Sequence, residues 1–475
     1  MTVCGPPHVT LVGERSQTNA AGDRQASRRP ECGEQLTNVR LSVIGTGYLG
    51  TTHAAGMAEL GHQVVGLDTD ADKVAQLSAG DVPFFEPGLE DLLRRGLDSG
   101  RLRFTTSYPD VAANADIHFL CVGTPQQAGS DAADLRFVDA ATRSLAAELT
   151  KPALVVGKST VPAGTATRLA HELREHASAG RRVDLAWNPE FLREGYAVKD
   201  TLRPDRLVFG VATDQAESLL RAVYATVIDG GCPVIVTDLP TAELVKVAAN
   251  SFLATKISFI NAMAEICEVT GADVATLAEA LGHDDRIGPR FLKAGLGFGG
   301  GCLPKDIRAF MARAEELGVV QAVSFLREVD AINLRRRTRM IDLAVEELGG
   351  NVDGKRIGVW GAAFKPDSDD IRDSPALDVA SALRSRGADV GVYDPQALNN
   401  ARRKYPQLDY CGSAVDAARD SDLILHLTEW DEFRTLEPAS LDGITRAKRI
   451  LDGRNALNPD KWRAAGWTYR ALGRP

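Results

Sequence analysis

The stretch Gly295-Leu296-Gly297-Phe298-Gly299-Gly300-Gly301-Cys302-Leu303-Pro304-Lys305-Asp306 is the part of this chain best suited to covalent chemistry. Five glycines in the seven residues before the thiol carry a large entropic cost that no evident structural need explains. They read as backbone that approaches a ligand and exposes Cys302. Lys305 and Asp306 open a helical pattern, so the thiol is expected at a helix N-terminus beside a cation. Both features lower a thiol pKa from its usual value of about 8.5. A thiolate so placed can act as a catalytic nucleophile. Cys121, in an apolar strand, and Cys267, in a helix, read instead as small buried hydrophobes.

Two more polar groups stand where polarity is costly. Lys246 and Asn250 are four apart, hence on one helix face, among Val245, Val247, Ala248 and Ala249. That face is either enclosed, which makes both groups functional, or a surface stripe with Glu243 pairing the lysine. In residues 188–195 (NPEFLREG) the carboxylates Glu190 and Glu194 are also four apart, just after an apparent strand. Such carboxylates can act as general bases; a solvated loop is the alternative.

Gly45-Thr46-Gly47-Tyr48-Leu49-Gly50 fits GxGxxG, with a strand before it, a helix of small residues after it, and Asp68 closing the next strand. In that context the glycines allow a tight turn and the approach of a pyrophosphate to helix N-terminal amides. Asp68, twenty-three positions after Gly45, would accept from ribose hydroxyls and repel a 2′-phosphate, so NAD is expected rather than NADP. Lys73 either flanks the cofactor or is a solvated helix lysine.

The elements that must hold these groups follow a regular order. Strand runs at 39–44, 117–122, 154–156 and 207–211 alternate with helical segments, indicating a parallel sheet covered on both faces. From Thr241 the apolar spacing becomes three and four, with Gly271 and Gly282 as stops. Helical periodicity continues through 307–318 and 321–348. After Gly354 the strand-turn-helix order returns and echoes the first: GHQVVGLD matches GADVGVYD, and ADIHFLCVGTP matches SDLILHLTEW. The expected fold is α/β, two Rossmann-like doubly wound domains joined by a helical middle. The expected divisions are a dinucleotide-binding domain at 39–240, a helical domain at 241–350 and a second Rossmann-like domain at 351–475. Residues 1–38, rich in Gly, Pro, Arg, Ser and Gln, read as a disordered tail. Arg335-Arg336-Arg337 reads as a solvated helix face.

Composition bounds the partners. A chain of 475 residues has room for about three domains. Its formal charge of −9 offers no general attraction to nucleic acid. Seven cysteines, an odd count without metal-like spacing, favour a reduced, cytoplasmic compartment. The eight histidines are scattered, so no metal is expected. No apolar run approaches the ~20 residues of a membrane span, and no secretory signal stands at the N-terminus.

Taken together, VIGTGYLG, FFEPGLE (84–90), CVGTP (121–125), KSTVPAGT (158–165), NPEFLREG, AELVKVAAN, DRIGPRFLKAG (285–295), GFGGGCLPKD, FKPDSDDIRDSP (364–375) and DGRN (452–455) resemble, in this order, the nucleotide-sugar dehydrogenase family. Gly301 departs from the pattern, which often has serine there, and the first 38 residues lie outside it. The resemblance implies oxidation of a sugar CH₂OH to a carboxylate with two NAD⁺ and one water, through a thiohemiacetal and a thioester on Cys302. It implies Lys246, or a water held by Asp306 and Thr160, as the first base, and Lys246 with Asn250 as donors to an oxyanion. Glu190 or the Asp306-held water would then promote thioester hydrolysis.

Implied cofactor contacts are Gly45, Gly47, Tyr48, Leu49, Gly50, Asp68, Lys73, Thr124, Glu194 and Arg372. Implied substrate contacts are Phe191, Leu192, Phe291, Lys293, Phe364, Lys365 and Arg454, with Arg286 reaching into a neighbouring subunit's site. The helical middle would form a homodimer or higher homo-oligomer, and the C-terminal domain would bind UDP. Matches at LTEWDEF (427–433) and PDRLVFG (204–210) favour UDP-glucose over GDP-mannose or a UDP-N-acetyl-hexosamine. A sensor without turnover would lack the thiol, the lysine or the asparagine; all three are present.

Overall fold

The computed structural model describes residues 38–474. The expected tail lies outside the described residues except for Asn38. Two sheets are built. The first contains β1 (Arg40–Ile44), β2 (Gln63–Leu67), β3 (Leu102–Thr105), β4 (Ile117–Leu120), β5 (Ala153–Gly157), β6 (Val183–Trp187), β7 (Leu207–Gly210) and β8 (Val234–Thr237), in the order β3-β2-β1-β4-β5-β6-β7-β8. The second contains β9 (Arg356–Trp360), β10 (Asp389–Tyr393), β11 (Asp409–Tyr410), β12 (Leu423–His426), β13 (Arg449–Asp452) and β14 (Thr468–Ala471), in the order β11-β10-β9-β12-β13-β14. Both follow the doubly wound pattern in which the chain reverses direction beside the first strand. Each therefore has a ligand crevice at that switch point, between β1 and β4 and between β9 and β12.

The strands are apolar along their whole length because both faces are covered. Successive residues enter opposite cores: Ile44, Leu120, Val155 and Leu185 pack on one face of the first sheet, and Val43, Phe119, Val156 and Ala186 on the other. One pairing differs from the all-parallel expectation. β6 and β7 meet antiparallel, through Trp187 and Gly210. Residues 188–206 turn back at the end of the sheet instead of crossing over its face, and this turn carries Glu190 and Glu194.

The helices that bear on the site are α1 (Tyr48–Glu59), α2 (Thr165–His176), α3 (Leu239–Thr270), α4 (Val274–Gly282), α5 (Leu303–Glu316) and α6 (Phe325–Glu347). Asp238 caps α3 by accepting from the Thr241 amide at 2.7 Å, and Gly271 ends it in the left-handed conformation, φ 76°. Gly282 is the last residue of α4. Ala254 of α3, Ile307 of α5, and Leu326 and Val329 of α6 share one core with Phe298 of the glycine-rich segment.

The basic run on α6 contradicts its expected solvation. Arg335 is exposed, but Arg336 and Arg337 are buried. Arg336 donates to Glu268 of α3 at 2.9 Å, and Arg337 to Asp373 at 2.8 Å. Each finds its carboxylate on another element, which makes burial of the charge tolerable.

Candidate active site

The dinucleotide turn separates structural glycines from one with no structural duty. Gly45 has φ 90°, and a Cβ on Gly50 would lie 1.8 Å from the Gly45 carbonyl oxygen, so both are required by the turn itself. Gly47, which precedes α1, has φ −73° and nothing within 4 Å of a Cβ position. Its missing side chain leaves the helix N-terminus open, where the amides of Tyr48 and Leu49 begin the helix and a pyrophosphate fits.

Asp68 accepts from the Thr46 amide at 2.9 Å and from Lys73 Nζ at 3.0 Å. Burial opposes its ionisation, but Lys73 and the amides of Asp70 and Thr46 outweigh that and hold it below the usual carboxylate range. The group is an anion, as ribose recognition requires. Thr124, beyond β4, donates to the Thr160 carbonyl at 2.7 Å, linking the loops after β4 and β5. These groups fit NAD.

Cys302 stands at the N-cap position of α5, its side chain making no capping hydrogen bond. The residue is exposed, yet protein crowds the thiol closely enough for burial to be the largest influence on its ionisation. Burial, then Asp306 and Glu190, push the thiol up to about 11, against the pull of Lys246. The expectation of a lowered pKa is therefore overturned: the carboxylates and the enclosure outweigh the helix end and the lysine. The thiol also feels Glu194, and it acts in turn on Lys365 and Arg372.

Lys246 is buried on α3, with Nζ 3.1 Å from Glu190 Oε1. Glu243 is not its partner, because that carboxylate accepts from the Gly164 and Ala166 amides at the start of α2. Burial opposes the lysine's charge, but Glu190, Cys302 and Asp306 hold its pKa above the ordinary lysine value. One turn along, Asn250 Nδ2 donates to Asp306 Oδ2 at 2.7 Å. Lys305 holds the other Asp306 oxygen at 2.6 Å. The enclosed reading of the Lys246–Asn250 face is the one observed. Thr160 shares the wall of a cavity of about 250 Å³ with Lys305 and Asp306.

Glu190 also accepts from the Leu192 amide at 2.6 Å, and the Phe191 ring lies 5.6 Å from Lys246 Nζ. Glu194 meets Arg372 at 3.0 Å. Burial and Asp370 push Glu194 up to about 7, opposed by Arg372 and Lys365. From the second sheet, Arg454 donates to the carbonyls of Leu427, Gly297 and Phe364, at 2.7, 2.9 and 3.1 Å. It thereby joins the second crevice to the cysteine loop.

The glycines before Cys302 prove to have a packing reason that the sequence did not disclose. A Cβ on Gly299 would lie 2.2 Å from the Asp373 carbonyl oxygen, one on Gly300 2.8 Å from the Phe364 ring, and one on Gly301 2.3 Å from the Arg372 guanidinium. Three expected substrate residues, Arg286, Phe291 and Lys293, are exposed, and Arg286 pairs with Asp284. Glu86 went unassigned although its motif was legible. It accepts from Tyr48 Oη, from the Gly195 amide at 2.6 Å and from the Ala197 amide at 2.7 Å, tying the dinucleotide turn to the Glu194 loop. Among the described residues no group of three His, Cys, Asp or Glu side chains could hold a metal, and no helix is long and apolar enough to cross a membrane.

Two Rossmann-like sheets, an exposed cysteine and a buried lysine–asparagine–aspartate group are the features of an NAD-dependent dehydrogenase. The chain belongs to the UDP-glucose/GDP-mannose dehydrogenase family: its NAD-binding domain matches residues 39–228, its central domain 240–335 and its UDP-binding domain 358–459. A UDP-glucose 6-dehydrogenase of Rhizobium meliloti is 40% identical over 92% of this chain and 100% of its own length. One from Pseudomonas aeruginosa is 41% identical over 92% of this chain and 98% of its own. The solved UDP-glucose dehydrogenase of Pyrobaculum islandicum superposes with a TM-score of 0.85 at 39% identity, covering 93% of this chain and all of that one.

The charges around Cys302 give a signed prediction. Alkylation of Cys302 by iodoacetamide, followed by peptide mapping, is expected to rise about tenfold per pH unit from pH 7 to pH 10, because only the thiolate reacts. Asp306→Asn removes the strongest charge opposing that thiolate, so its Cys302 is expected to alkylate faster than wild type at pH 8. A plateau below pH 9 in the wild type contradicts the raised pKa.

Proposed function

We propose that this enzyme oxidises UDP-glucose to UDP-glucuronate at Cys302, in two successive two-electron steps. The observation that supports it most is the convergence on one thiol of Lys246, Asp306, Glu190, Glu194, Lys365 and Arg372. NAD, when bound, supplies the hydride acceptor.

The residues divide the remaining work. Lys246, held above the ordinary lysine pKa, stays an ammonium and suits an oxyanion donor better than a base. The first proton then goes to water held by Asp306 and Thr160, the other candidate. Asn250 fixes Asp306 and adds a second donor. Cys302 sulfur bonds to the aldehyde carbon, giving a thiohemiacetal, and oxidation of that adduct leaves a thioester. Water attacks the thioester with Glu190 or the Asp306-held water as base, the C–S bond breaks, and the thiolate is restored. One sugar alcohol, two NAD⁺ and one water become one carboxylate, two NADH and three protons.

The second crevice and Arg454 would hold the nucleotide, with Phe364 and Lys365 beside it. Phe191 and Leu192 would line the sugar, Phe291 and Lys293 would meet it from the loop before Cys302, and Glu194 with Arg372 would meet the cofactor. The five described cysteines are all free, which suits a reducing, cytoplasmic setting.

The active form is proposed to be a homodimer, or a higher oligomer built from it. Phe252, Phe259 and Ile266 of α3 are 67, 49 and 55% exposed at seven-residue spacing, an apolar stripe that a second copy would cover. Arg286, unburied here, would reach across. Sedimentation of Phe259→Glu should show monomer, and an unchanged oligomer contradicts the assignment.

The deciding experiment incubates the enzyme with NAD⁺ and UDP-glucose, GDP-mannose or UDP-N-acetyl-hexosamines, counting NADH per sugar consumed. Two NADH per UDP-glucose, at a turnover well above the others, is expected. Equal or faster turnover of GDP-mannose rejects the substrate, and one NADH per sugar rejects the four-electron scheme.

A further inference from the structure

The segment that delivers Cys302 has neither helix nor strand, yet residues 294–300 are all buried. Buried N–H and C=O groups need partners, and several of this segment find theirs in side chains from two helices and the loop after β13. Asn261 of α3 accepts from the Gly295 amide at 2.8 Å. Arg454 takes the Gly297 carbonyl at 2.9 Å. Asn333 of α6 exchanges two hydrogen bonds with one residue: its Oδ1 accepts from the Phe298 amide at 2.7 Å, and its Nδ2 donates to the Phe298 carbonyl at 2.9 Å.

We propose that Asn333, with Arg337 one turn further along α6, is a positioning residue for the nucleophile, clamping the Phe298 peptide and so fixing the loop that presents Cys302. Asn333 is fully buried and replaces, for one residue, the neighbouring strand this loop lacks. Arg337 lies on the same helix face. Its Nη2 reaches the Phe298 carbonyl at 3.3 Å, while Nη1 pairs with Asp373 at 2.8 Å and with Asp378. The arginine therefore bonds both the loop and the segment that carries Arg372, and the Arg372 carbonyl in turn accepts from the Gly300 amide at 2.8 Å.

Gly297 completes the fit. It has φ 89°, and a Cβ there would lie 2.3 Å from Asn333 Oδ1, so only glycine lets the amide seat. A glycine-rich loop samples many conformations when untethered. A displacement of about 1 Å at a reacting group can cost 10²-fold in rate. The clamp converts a flexible sequence into a fixed one, four residues before the thiol.

This inference rests on Cys302 being the nucleophile. Asn333→Leu, close in size but without either hydrogen bond, is expected to lower kcat by roughly 10–100-fold, with KM for UDP-glucose and NAD⁺ changed by less than about threefold. Its Cys302 is expected to alkylate several-fold faster with iodoacetamide, because the loosened loop exposes the thiol. Ser258→Ala is the matched control: Ser258 Oγ bonds the Val329 carbonyl at 2.7 Å between the same two helices, a hydrogen bond that involves no residue of the loop. It should lower the melting temperature while leaving kcat and alkylation at wild-type values.

The proposal is overturned if Asn333→Leu keeps kcat and alkylation within twofold of wild type, or if Ser258→Ala loses kcat equally. Should Asn333→Leu fail to fold, hydrogen exchange in the wild-type enzyme decides. The Phe298 amide is expected to be protected as strongly as the core of α3, and rapid exchange rejects the clamp. A Cys302→Ser enzyme that still makes acid at full rate instead rejects the active-site reading, a different outcome from either.

Discussion

Cys302→Ser is expected to stop acid formation, lowering UDP-glucuronate production by roughly 10⁴-fold or more, within the range seen when a catalytic nucleophile is lost. The substitution keeps size and hydrogen bonding, so the loop should be undisturbed. The loss is chemical: a serine hydroxyl ionises far less readily than even the Cys302 thiol, which the site pushes up to about 11, and it cannot capture the aldehyde at a useful rate. Oxidation to the aldehyde needs no sulfur and should persist at a low level, detectable by trapping the aldehyde with hydroxylamine. Product chromatography alongside NADH counting is the measurement. Acid formation within tenfold of wild type contradicts covalent catalysis at position 302.

Lys246→Met carries the next largest effect. The ammonium favours the Cys302 thiolate, it pairs with Glu190 at 3.1 Å, and it is the donor proposed above for a developing oxyanion. Removing one such donor costs about 10²–10³ in kcat. Here the Cys302 pKa also rises further and Glu190 is left without its partner, so the upper part of that range is expected, with a smaller change in KM. Lys246→Arg should not restore activity, because the planar guanidinium does not fit a site shaped for an ammonium. Steady-state kinetics at pH 8 tests both, and a loss below tenfold for Lys246→Met contradicts the role.

Much of this arrangement was legible in the chain because it is local. GxGxxG with Asp68 is a strand–turn–helix signal contained in one βαβ unit, and the echo between the two halves follows strand order, which both sheets reproduce. The Lys246–Asn250 pairing followed from helical spacing alone. What escaped was long-range. Arg336 and Arg337 read as solvated because their carboxylates, Glu268, Asp373 and Asp378, sit on other elements. The glycines before Cys302 seemed free of structural duty because Asp373, Phe364 and Arg372, which crowd them, are some seventy residues away in sequence. The antiparallel β6–β7 pairing carried no signal, since an apolar run of four residues does not reveal its direction. Asn333 is a lone amide inside a helix, and only the fold places it against Phe298.

The central claim is a bond between Cys302 sulfur and the half-oxidised sugar. It is tested most directly by acid-quenching the enzyme during turnover of UDP-glucose with NAD⁺, then weighing the intact protein and the peptide that contains Cys302. Glu190→Gln, which removes one of the two bases proposed for thioester hydrolysis, is expected to accumulate the adduct. The expected result is a mass increase equal to the UDP-glucuronyl group, confined to that peptide and absent without NAD⁺. Full turnover by the wild type, with no adduct on Cys302 in either protein at any quench time, contradicts the account.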